Sequence, residues 1–228
     1  MGKYNVNINM SNKNCSHTLI LEQIKPCSMV LEMGCATGYM TRYMKEKLGC
    51  TVDIVEVDKQ SFDTAMPYAR SGCLGDIDCK GWSDIFKPCK SLYGGYDYIL
   101  FADVLEHLKD PKKALCLASE LLRDDGKILI SIPNVCHNDI ILQMYHNHFR
   151  YTNIGLLDNT HLRFWGIEDF ADFVNDIGLK ITDTKTVVLP TQRTEQRLPF
   201  KVDGVLKALL DKREYGEVYQ WIFTCEKR

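Results

Sequence analysis

The sequence predicts an α/β fold in which helices cover both faces of a parallel sheet. Short β-branched or apolar segments alternate with segments of helical periodicity through most of the 228 residues. This alternation is typical of a doubly wound sheet. No linker rich in Pro, Gly or Ser, no internal repeat and no low-complexity tract interrupts it. We therefore predict a single domain over residues 1–228, which is an ordinary length for one large domain.

The expected elements follow from apolar periodicity and from capping residues. Ser16 is the expected N-cap of a first helix over 18–24. A buried strand over 29–33 leads into a helix over 39–48, which Gly49 ends. Further strands are predicted over 51–57, just before Gly75, and over 96–101, 126–132, 180–188 and 218–224. Further helices are predicted over 62–69, 112–122 and 169–177, with another beginning at 104–108, and a turn at 124–126.

Two connections are longer than the alternation requires, namely 136–161 and 190–214. Long connections in an α/β domain are typically functional, and ligands bind at the carboxyl ends of the strands. We expect 136–161 to be a lid-like insertion and 190–214 to be a second insertion before the last strand. Both are expected to roof the pocket of a substrate.

Composition narrows the class of partner. The chain has 28 Lys and Arg against 30 Asp and Glu, a net charge of −2. This balance argues against a nucleic-acid partner and favours a small molecule. The ten cysteines include no C-x-x-C pair, and residues 1–16 are polar and Asn-rich without an apolar signal core. We expect a reduced, cytoplasmic protein without a membrane span.

The strongest local signal is the turn after the first strand, Val30-Leu31-Glu32-Met33-Gly34-Cys35-Ala36-Thr37-Gly38. Gly34 and Gly38 permit a tight turn and a close approach of a ligand. The pattern is E-x-G-x-x-x-G, which differs from the G-x-G-x-x-G of pyrophosphate-binding turns. A carboxylate at Glu32 would repel a diphosphate and suits a positively charged group such as an amine. This argues against a nicotinamide-dependent dehydrogenase.

Carboxylates also follow the next two strands. Glu56 ends the second strand, where a carboxylate accepts hydrogen bonds from ribose hydroxyls. Asp76 follows the third strand, where it can accept from the exocyclic amine of adenine, and Ile77 would pack on the ring. The predicted cofactor site comprises Glu32, Gly34, Cys35, Gly38, Glu56, Val57, Asp58, Gly75, Asp76 and Ile77, with Ala102 and Asp103 after the fourth strand.

The chain resembles the class I S-adenosylmethionine-dependent methyltransferases. Five segments carry the resemblance in the right order: Glu32–Gly38, Glu56, Gly75–Asp76, Phe101–Pro111 (FADVLEHLKDP) and Leu121–Asn134 (LLRDDGKILISIPN). Ala36 departs from the family, in which many members have glycine. The resemblance implies a seven-stranded Rossmann-like sheet of order 3-2-1-4-5-7-6, with an antiparallel last strand near 217–226. It also implies S-adenosylmethionine as the methyl donor and S-adenosylhomocysteine as the product.

A second resemblance concerns the acceptor of the methyl group. The segment Leu156–Trp165 (LLDNTHLRFW) is similar to the LLDxTHLRFF of bacterial methyltransferases found beside or fused to glycosyltransferases. This implies O-methylation of a sugar or glycan hydroxyl. Aromatic side chains with polar tips suit sugar faces. Six side chains are candidates for a sugar- or anion-binding wall: His137, His146, His148, Arg150, Tyr151 and Arg163.

The predicted reaction centre comprises Asp103, Glu106, His107 and His161. The first three are spaced i, i+3 and i+4, which would place them on one helix face beside the cofactor. Either histidine would serve as the base for an acceptor hydroxyl. The set also resembles the E-x-x-E-H…H ligands of two metal-dependent groups, the small-RNA 3′-end 2′-O-methyltransferases and the ubiquinone-pathway O-methyltransferases. That resemblance implies Mg²⁺ or Mn²⁺, but Asp103 is shorter than the glutamate it replaces.

Three alternatives stay open. Glu106 and His107 could simply brace the cofactor loop, the enzyme could methylate an RNA 3′ end, or the domain could bind S-adenosylmethionine without catalysis. His17 is expected near the methionine part of the cofactor. Trp82, Phe86 and Trp165 are expected to pack in the interior or the lid.

Overall fold

Seven strands form one mixed sheet in the computed structural model, which describes residues 8–202 and 204–228. The start of the Asn-rich segment, 1–7, and Asp203 in the second insertion lie outside the described residues. The strands are β1 (Met29–Met33), β2 (Thr51–Glu56), β3 (Ser71–Leu74), β4 (Tyr96–Ala102), β5 (Leu122–Pro133), β6 (Leu179–Val188) and β7 (Val218–Lys227).

The strand order is β3-β2-β1-β4-β5-β7-β6, which confirms the order that the resemblance implies. The pairs from β3 to β5 are parallel, and β7 lies antiparallel between β5 and β6. The carboxyl ends of β1 to β5 therefore lie at one edge of the sheet. From β1 the sheet continues to β2 and β3 on one side and to β4 and β5 on the other. Ligands of open α/β sheets bind at such a switch in strand order, outside the carboxyl ends of the strands.

The α-helices are α1 (Ser16–Leu21), α2 (Tyr39–Leu48), α3 (Lys59–Ala65), α4 (Trp82–Tyr93), α5 (Pro111–Leu121), α6 (Asn138–Tyr145), α7 (Ile167–Asp176) and α8 (Gly204–Leu210). The predicted cap at Ser16 is wrong, because α1 begins at Ser16 and Cys15 is the N-cap, without a side-chain hydrogen bond. Asp58 caps α3 by accepting a hydrogen bond from Ser61 N at 2.8 Å.

Two local predictions are wrong. Residues 104–108 do not begin an α-helix but contain a single 3-10 turn, Leu105–His107, because Leu108 adopts an extended conformation with ψ of 143° and ends the turn before α5 starts at Pro111. Residues 124–126 are not a separate turn, because β5 begins at Leu122 and bulges against β4 between Tyr96 and Tyr98. Asp103, Glu106 and His107 therefore do not share a helix face.

Alternate residues of the strands belong to two hydrophobic clusters, one on each face of the sheet. Leu31 and Met33 of β1 pack with Trp82, Phe86 and other aromatic side chains on one face. Val30 packs with α1 and α2 on the other face. Since side chains alternate along a strand, Glu32 points toward the α2 face. The interior placement predicted for Trp82 and Phe86 is confirmed, with exposed fractions of 3% and 2%.

The two insertions pack on each other. Asp139 of α6 is fully buried and accepts hydrogen bonds from Gln192 N at 2.6 Å and Thr194 Oγ1 at 2.7 Å. Glu195 accepts from Leu156 N at 2.6 Å and from the Tyr219 hydroxyl at 3.1 Å. The 190–214 segment thus packs against the 136–161 segment and holds it through these hydrogen bonds. Within the described ranges, no helix is long and apolar enough to cross a bilayer.

Candidate active site

A cavity of about 930 Å³ opens at the carboxyl ends of β1 to β4. This volume lies within the usual range for small-molecule sites. Gly34, Glu56, Gly75 and Asp103 line it just after or at the ends of these four strands. The lid-like segment contributes Ile154, Gly155, Asp158, Thr160 and His161 to the wall. The 190–214 segment contributes no residue to this wall within its described part.

Backbone conformation in the glycine turn explains its sequence. Gly34 has φ of +66° and Gly38 has φ of +76°, in the left-handed region that favours glycine. A Cβ on Gly38 would lie 2.6 Å from the Cβ of Ala65, and one on Gly34 would lie 2.8 Å from a methyl group of Val104. Ala36 also adopts a positive φ, +48°, so the residue that departs from the family keeps a glycine-like conformation.

Glu56 is organised by the backbone around it. Its Oε2 accepts a hydrogen bond from Ala36 N at 2.7 Å, and its Oε1 accepts from Val57 N and Asp58 N at 2.9 Å each. A carboxylate offers about four lone-pair sites. Three are occupied here, so about one remains, on Oε2, for a hydroxyl of a ligand. Glu56 is 7% exposed, and these three hydrogen bonds hold its carboxylate in one orientation at the cavity wall.

The wall after β3 is also fixed. Asp76 accepts from Asp78 N at 2.9 Å, and the indole of Trp82 donates to the Ile77 carbonyl at 3.1 Å. Ile77 is 8% exposed and lines the cavity. This side of the cavity therefore combines a carboxylate with an apolar face.

Nine of the twelve predicted cofactor residues line the cavity, and three do not. Those on the wall are Gly34, Glu56, Val57, Asp58, Gly75, Asp76, Ile77, Ala102 and Asp103. Glu32, Cys35 and Gly38 lie behind it. Cys35 is buried, and Gly38 closes the turn by donating to the Cys35 carbonyl at 2.9 Å.

Glu32 is a buried brace under the turn. It is 3% exposed and accepts a hydrogen bond from Thr41 Oγ1 of α2 at 2.6 Å. The pKa of Glu32 is raised to about 8, mainly by burial and partly by the nearby Glu56, against the lowering effect of the Thr41 hydrogen bond. The carboxyl group therefore holds its proton far above the pH at which an ordinary glutamate loses it.

Replacing Glu32 should change how stability depends on pH. From about pH 4.5 to 8 the unfolded chain binds fewer protons than the folded one, so the free energy of unfolding falls as pH rises. We expect Glu32 to contribute a loss of about 2 kcal/mol between about pH 6 and 8. Glu32→Gln should remove this contribution in urea denaturation of the cofactor-free protein. Glu46→Gln, on the exposed face of α2, is the control, and identical pH dependence in both variants would contradict the prediction.

The structure brings three of the four predicted catalytic residues together. Glu106, His107 and His161 each offer a ligand atom within 4.8 Å of the others, and the two imidazole centroids lie 4.8 Å apart. Glu106 is 1% exposed, and its Oε2 has no hydrogen-bond partner among the described residues. Burial raises the pKa of Glu106 well above its ordinary value, and Asp103 raises it further. Burial lowers the pKa of His161, and His107 lowers it further.

Asp103 lies on the wall but outside this cluster. It adopts φ of +56° at the end of β4, and Ser131 Oγ donates to its Oδ1 at 2.9 Å. The amide of Gln220 donates to the same oxygen. Asp103 is thus fixed by β5 and β7, which are distant in sequence. His17 also lines the cavity, where its Nε2 lies 2.9 Å from the Tyr39 hydroxyl, and burial lowers its pKa.

The predicted sugar-binding wall does not form along this cavity, since none of its six residues lines it. His137 is fully buried and caps α6, accepting from Asp139 N at 3.1 Å. Its Nε2 lies 2.9 Å from the Leu189 carbonyl. Sequence reasoning missed other residues that do line the cavity, including Asp158, Thr160, Tyr219 and Gln220. Asp158 and Thr160 directly precede the predicted His161 in the LLDNTHLRFW segment, so that segment could have indicated them.

The electrostatic character of the cavity is acidic. Its lining includes seven carboxyl side chains and one lysine, Lys109. The carboxyl side chains belong to Glu56, Asp58, Asp76, Asp78, Asp103, Glu106 and Asp158. Such a lining favours neutral or cationic ligands over phosphates.

Comparison with known proteins assigns the family. A family model described as "Methyltransferase domain" matches residues 9–184. The ubiquinone biosynthesis O-methyltransferase of Neisseria meningitidis serogroup C is 21% identical over 158 residues, 68% of this chain and 65% of that protein. This chain covers 65% of the length of that protein, and it covers 44% and 42% of the ubiquinone biosynthesis O-methyltransferases of Neisseria meningitidis serogroup A and Idiomarina loihiensis.

Solved structures show the same fold. A TehB-like SAM-dependent methyltransferase from Corynebacterium glutamicum has a TM-score of 0.55 at 18% identity, over 93% of this chain and 87% of that one. The plantazolicin methyltransferase BpumL, solved with SAH, has a TM-score of 0.58 at 15% identity, over 96% and 85%. The fold is therefore the one that SAM-dependent methyltransferases use. With more than half of its length matched by the family model, the chain belongs to the methyltransferase-domain family.

Proposed function

We propose that the protein is an S-adenosylmethionine-dependent O-methyltransferase that acts on a neutral sugar or glycan hydroxyl. The observation that carries the proposal is one cavity with two chemically different halves. The half over β1 to β3 has the carboxylates of Glu56 and Asp76 and the apolar face of Ile77, which suit an adenosine. The half over β4, β5 and β7 has His107 and His161, which suit proton removal from an acceptor, with Glu106 beside them.

When bound, S-adenosylmethionine supplies an electrophilic methyl group on a positively charged sulfur. The bond that forms joins this methyl carbon to the acceptor oxygen, and the carbon–sulfur bond breaks, giving S-adenosylhomocysteine. The acceptor hydroxyl must lose its proton in the process. His107 and His161 are the groups we propose for this task, because a neutral imidazole accepts a proton near neutral pH. Asp103 and His17 are proposed to contact the methionine side of the donor.

The same three side chains fit a divalent cation. One carboxylate and two imidazoles form a donor set that suits Mn²⁺ better than Mg²⁺. The unpartnered Oε2 of Glu106 in this cluster is an observation that a ligand would explain. Such a cation would lower the pKa of an acceptor hydroxyl. Glu106, His107 and His161 would hold the cation. A methyl-transfer rate that depends on an added cation would identify the histidines as cation ligands, and a rate that does not would identify one of them as the base.

Two observations bear on the acceptor. The acidic lining disfavours RNA, whose phosphates it would repel, and favours an uncharged polyol. The curated relatives, named as O-methyltransferases, support oxygen as the methylated atom. We also propose a reducing, cytoplasmic location, since five of the ten cysteines are buried separately as apolar side chains.

Calorimetry followed by an acceptor assay tests the function. We expect the purified protein to bind S-adenosylhomocysteine and not NAD⁺, with and without Mn²⁺. Transfer of a labelled methyl group should then appear with neutral sugars or glycans carrying vicinal hydroxyls. Catechols and a single-stranded RNA 3′ end are the competing acceptors. Binding without transfer to any acceptor would instead indicate a non-catalytic domain, and absence of binding would overturn the cofactor assignment.

A further inference from the structure

A chain of hydrogen bonds lies behind His107, on the side of its Nδ1 atom. The Thr160 hydroxyl donates to Asp158 Oδ1 at 2.7 Å, and Thr160 N donates to the same oxygen at 2.9 Å. Thr160 Oγ1 lies 3.1 Å from His107 Nδ1, and the Thr160 carbonyl oxygen lies 3.3 Å from that nitrogen. Asp158 is 5% exposed, so this chain begins at a buried carboxyl group.

Counting hydrogens along this chain assigns the proton on the imidazole. A threonine hydroxyl has one hydrogen to donate, and here Asp158 receives it. Thr160 Oγ1 can therefore only accept from His107 Nδ1. The Thr160 carbonyl beside the same nitrogen is also only an acceptor. Both contacts require a hydrogen on Nδ1, so the neutral ring has its lone pair on Nε2.

The turn that supplies Thr160 is itself held against the reaction centre. Leu162 N and Arg163 N donate to the Glu106 carbonyl at 2.7 and 3.0 Å, and His161 N donates to the Asp158 carbonyl at 3.0 Å. The turn therefore presents Thr160 to one histidine and the side chain of the other to the cavity. These hydrogen bonds hold Thr160 in a fixed position beside His107, and a fixed acceptor favours one tautomer of the imidazole.

We propose that Asp158 and Thr160 are positioning residues that hold His107 as the Nδ1–H tautomer, leaving Nε2 available to the acceptor. Only the use of this tautomer in catalysis rests on the proposed function. An Nε2 lone pair is required both for a base and for a ligand to a cation. The tautomer itself is a property of the protein without donor or acceptor.

Nitrogen NMR tests the tautomer directly. Protein labelled with ¹⁵N-histidine gives separate Nδ1 and Nε2 signals in long-range proton–nitrogen spectra, and His107→Gln assigns them. For the neutral ring we expect a protonated Nδ1 and an unprotonated Nε2. Thr160→Val, which removes the hydroxyl, should lower the Nδ1–H fraction, and Thr160→Ser should restore it. Asp158→Ala frees the Thr160 hydroxyl to donate to Nδ1 and should shift the ring furthest toward Nε2–H.

Kinetics supply the second measurement. We expect Thr160→Val to lower kcat by about 10- to 100-fold with little change in the KM of the donor, and Thr160→Ser to recover most of the rate. Thr184→Val, an exposed change on β6, is the matched control and should leave both tautomer and rate unchanged. An Nε2–H ring in the unmodified protein, or a tautomer and rate unaffected by Thr160→Val, would overturn the proposal. The expected tautomer without transfer to any acceptor would support the positioning and count against the proposed function.

Discussion

We expect Glu56→Gln to weaken the binding of S-adenosylhomocysteine by about 100-fold or more. The carboxylate accepts from three backbone amides, which belong to the turn after β1 and the turn after β2. An amide side chain has only one acceptor oxygen, so its NH₂ group would face at least one backbone N–H. The substitution removes a charged hydrogen-bond acceptor for a ligand hydroxyl, and it also loosens the link between two segments of the cavity wall.

Asp63→Asn is the matched control for this substitution. Asp63 is exposed on α3, pairs with Lys59 at 2.7 Å and lies outside the cavity lining, so the same change of charge should leave affinity unaltered. Calorimetric titration measures the affinity, and thermal unfolding verifies that both variants are folded. A folded Glu56→Gln protein with unmodified affinity would contradict the role of Glu56.

The second large effect is expected at His161. We expect His161→Ala to lower the methyl-transfer rate by about 10²- to 10⁴-fold, the usual contribution of a positioned acid–base group. Its effect on S-adenosylhomocysteine affinity should be small, because the wall proposed to bind the adenosine is built on β1, β2 and β3. The measurements are kcat from product formation and Kd from calorimetry.

His148→Ala provides the comparison, since His148 is exposed and lies outside the cavity lining. It should retain the full rate. If the cluster binds a cation, chelation should reduce the unmodified enzyme to the level of the His161 variant, and added Mn²⁺ should restore only the unmodified enzyme. A His161→Ala enzyme with undiminished kcat would remove His161 from the reaction centre.

The ends of β1, β2 and β3 were predictable because their information is local. A buried strand followed by glycine or a carboxylate indicates where the strand ends and which residues lie at that edge of the sheet. Gly34, Glu56 and Asp76 line the cavity, as expected. The burial of Glu32 was not predictable from the motif. Its direction depends on the alternation along β1 and on Thr41, which lies on the neighbouring helix.

Other features depend on contacts between distant segments. Helix α4 was missed because Pro88 lies inside it, and its burial depends on Trp82 and Phe86 packing against the sheet. The Gln220 contact to Asp103 joins β7 to the end of β4, between residues 117 positions apart. Spacing alone placed Asp103 with Glu106 on a helix, whereas the positive φ of Asp103 and the short 3-10 turn separate them.

The Glu195 contact has a consequence for how the acceptor preference can diversify. One carboxylate holds both the Leu156 backbone of the lid-like segment and Tyr219 on the cavity wall. A Cβ on Gly155 would collide with this side chain, at 2.2 Å from Glu195 Oε1. Changes at Glu195 would therefore reach Gly155 and Tyr219 on the cavity wall, although none of the described residues of 190–214 lines the cavity. We therefore expect substitutions in this segment to change which acceptors the proposed enzyme takes, while the cavity wall built on β1 to β3 stays the same.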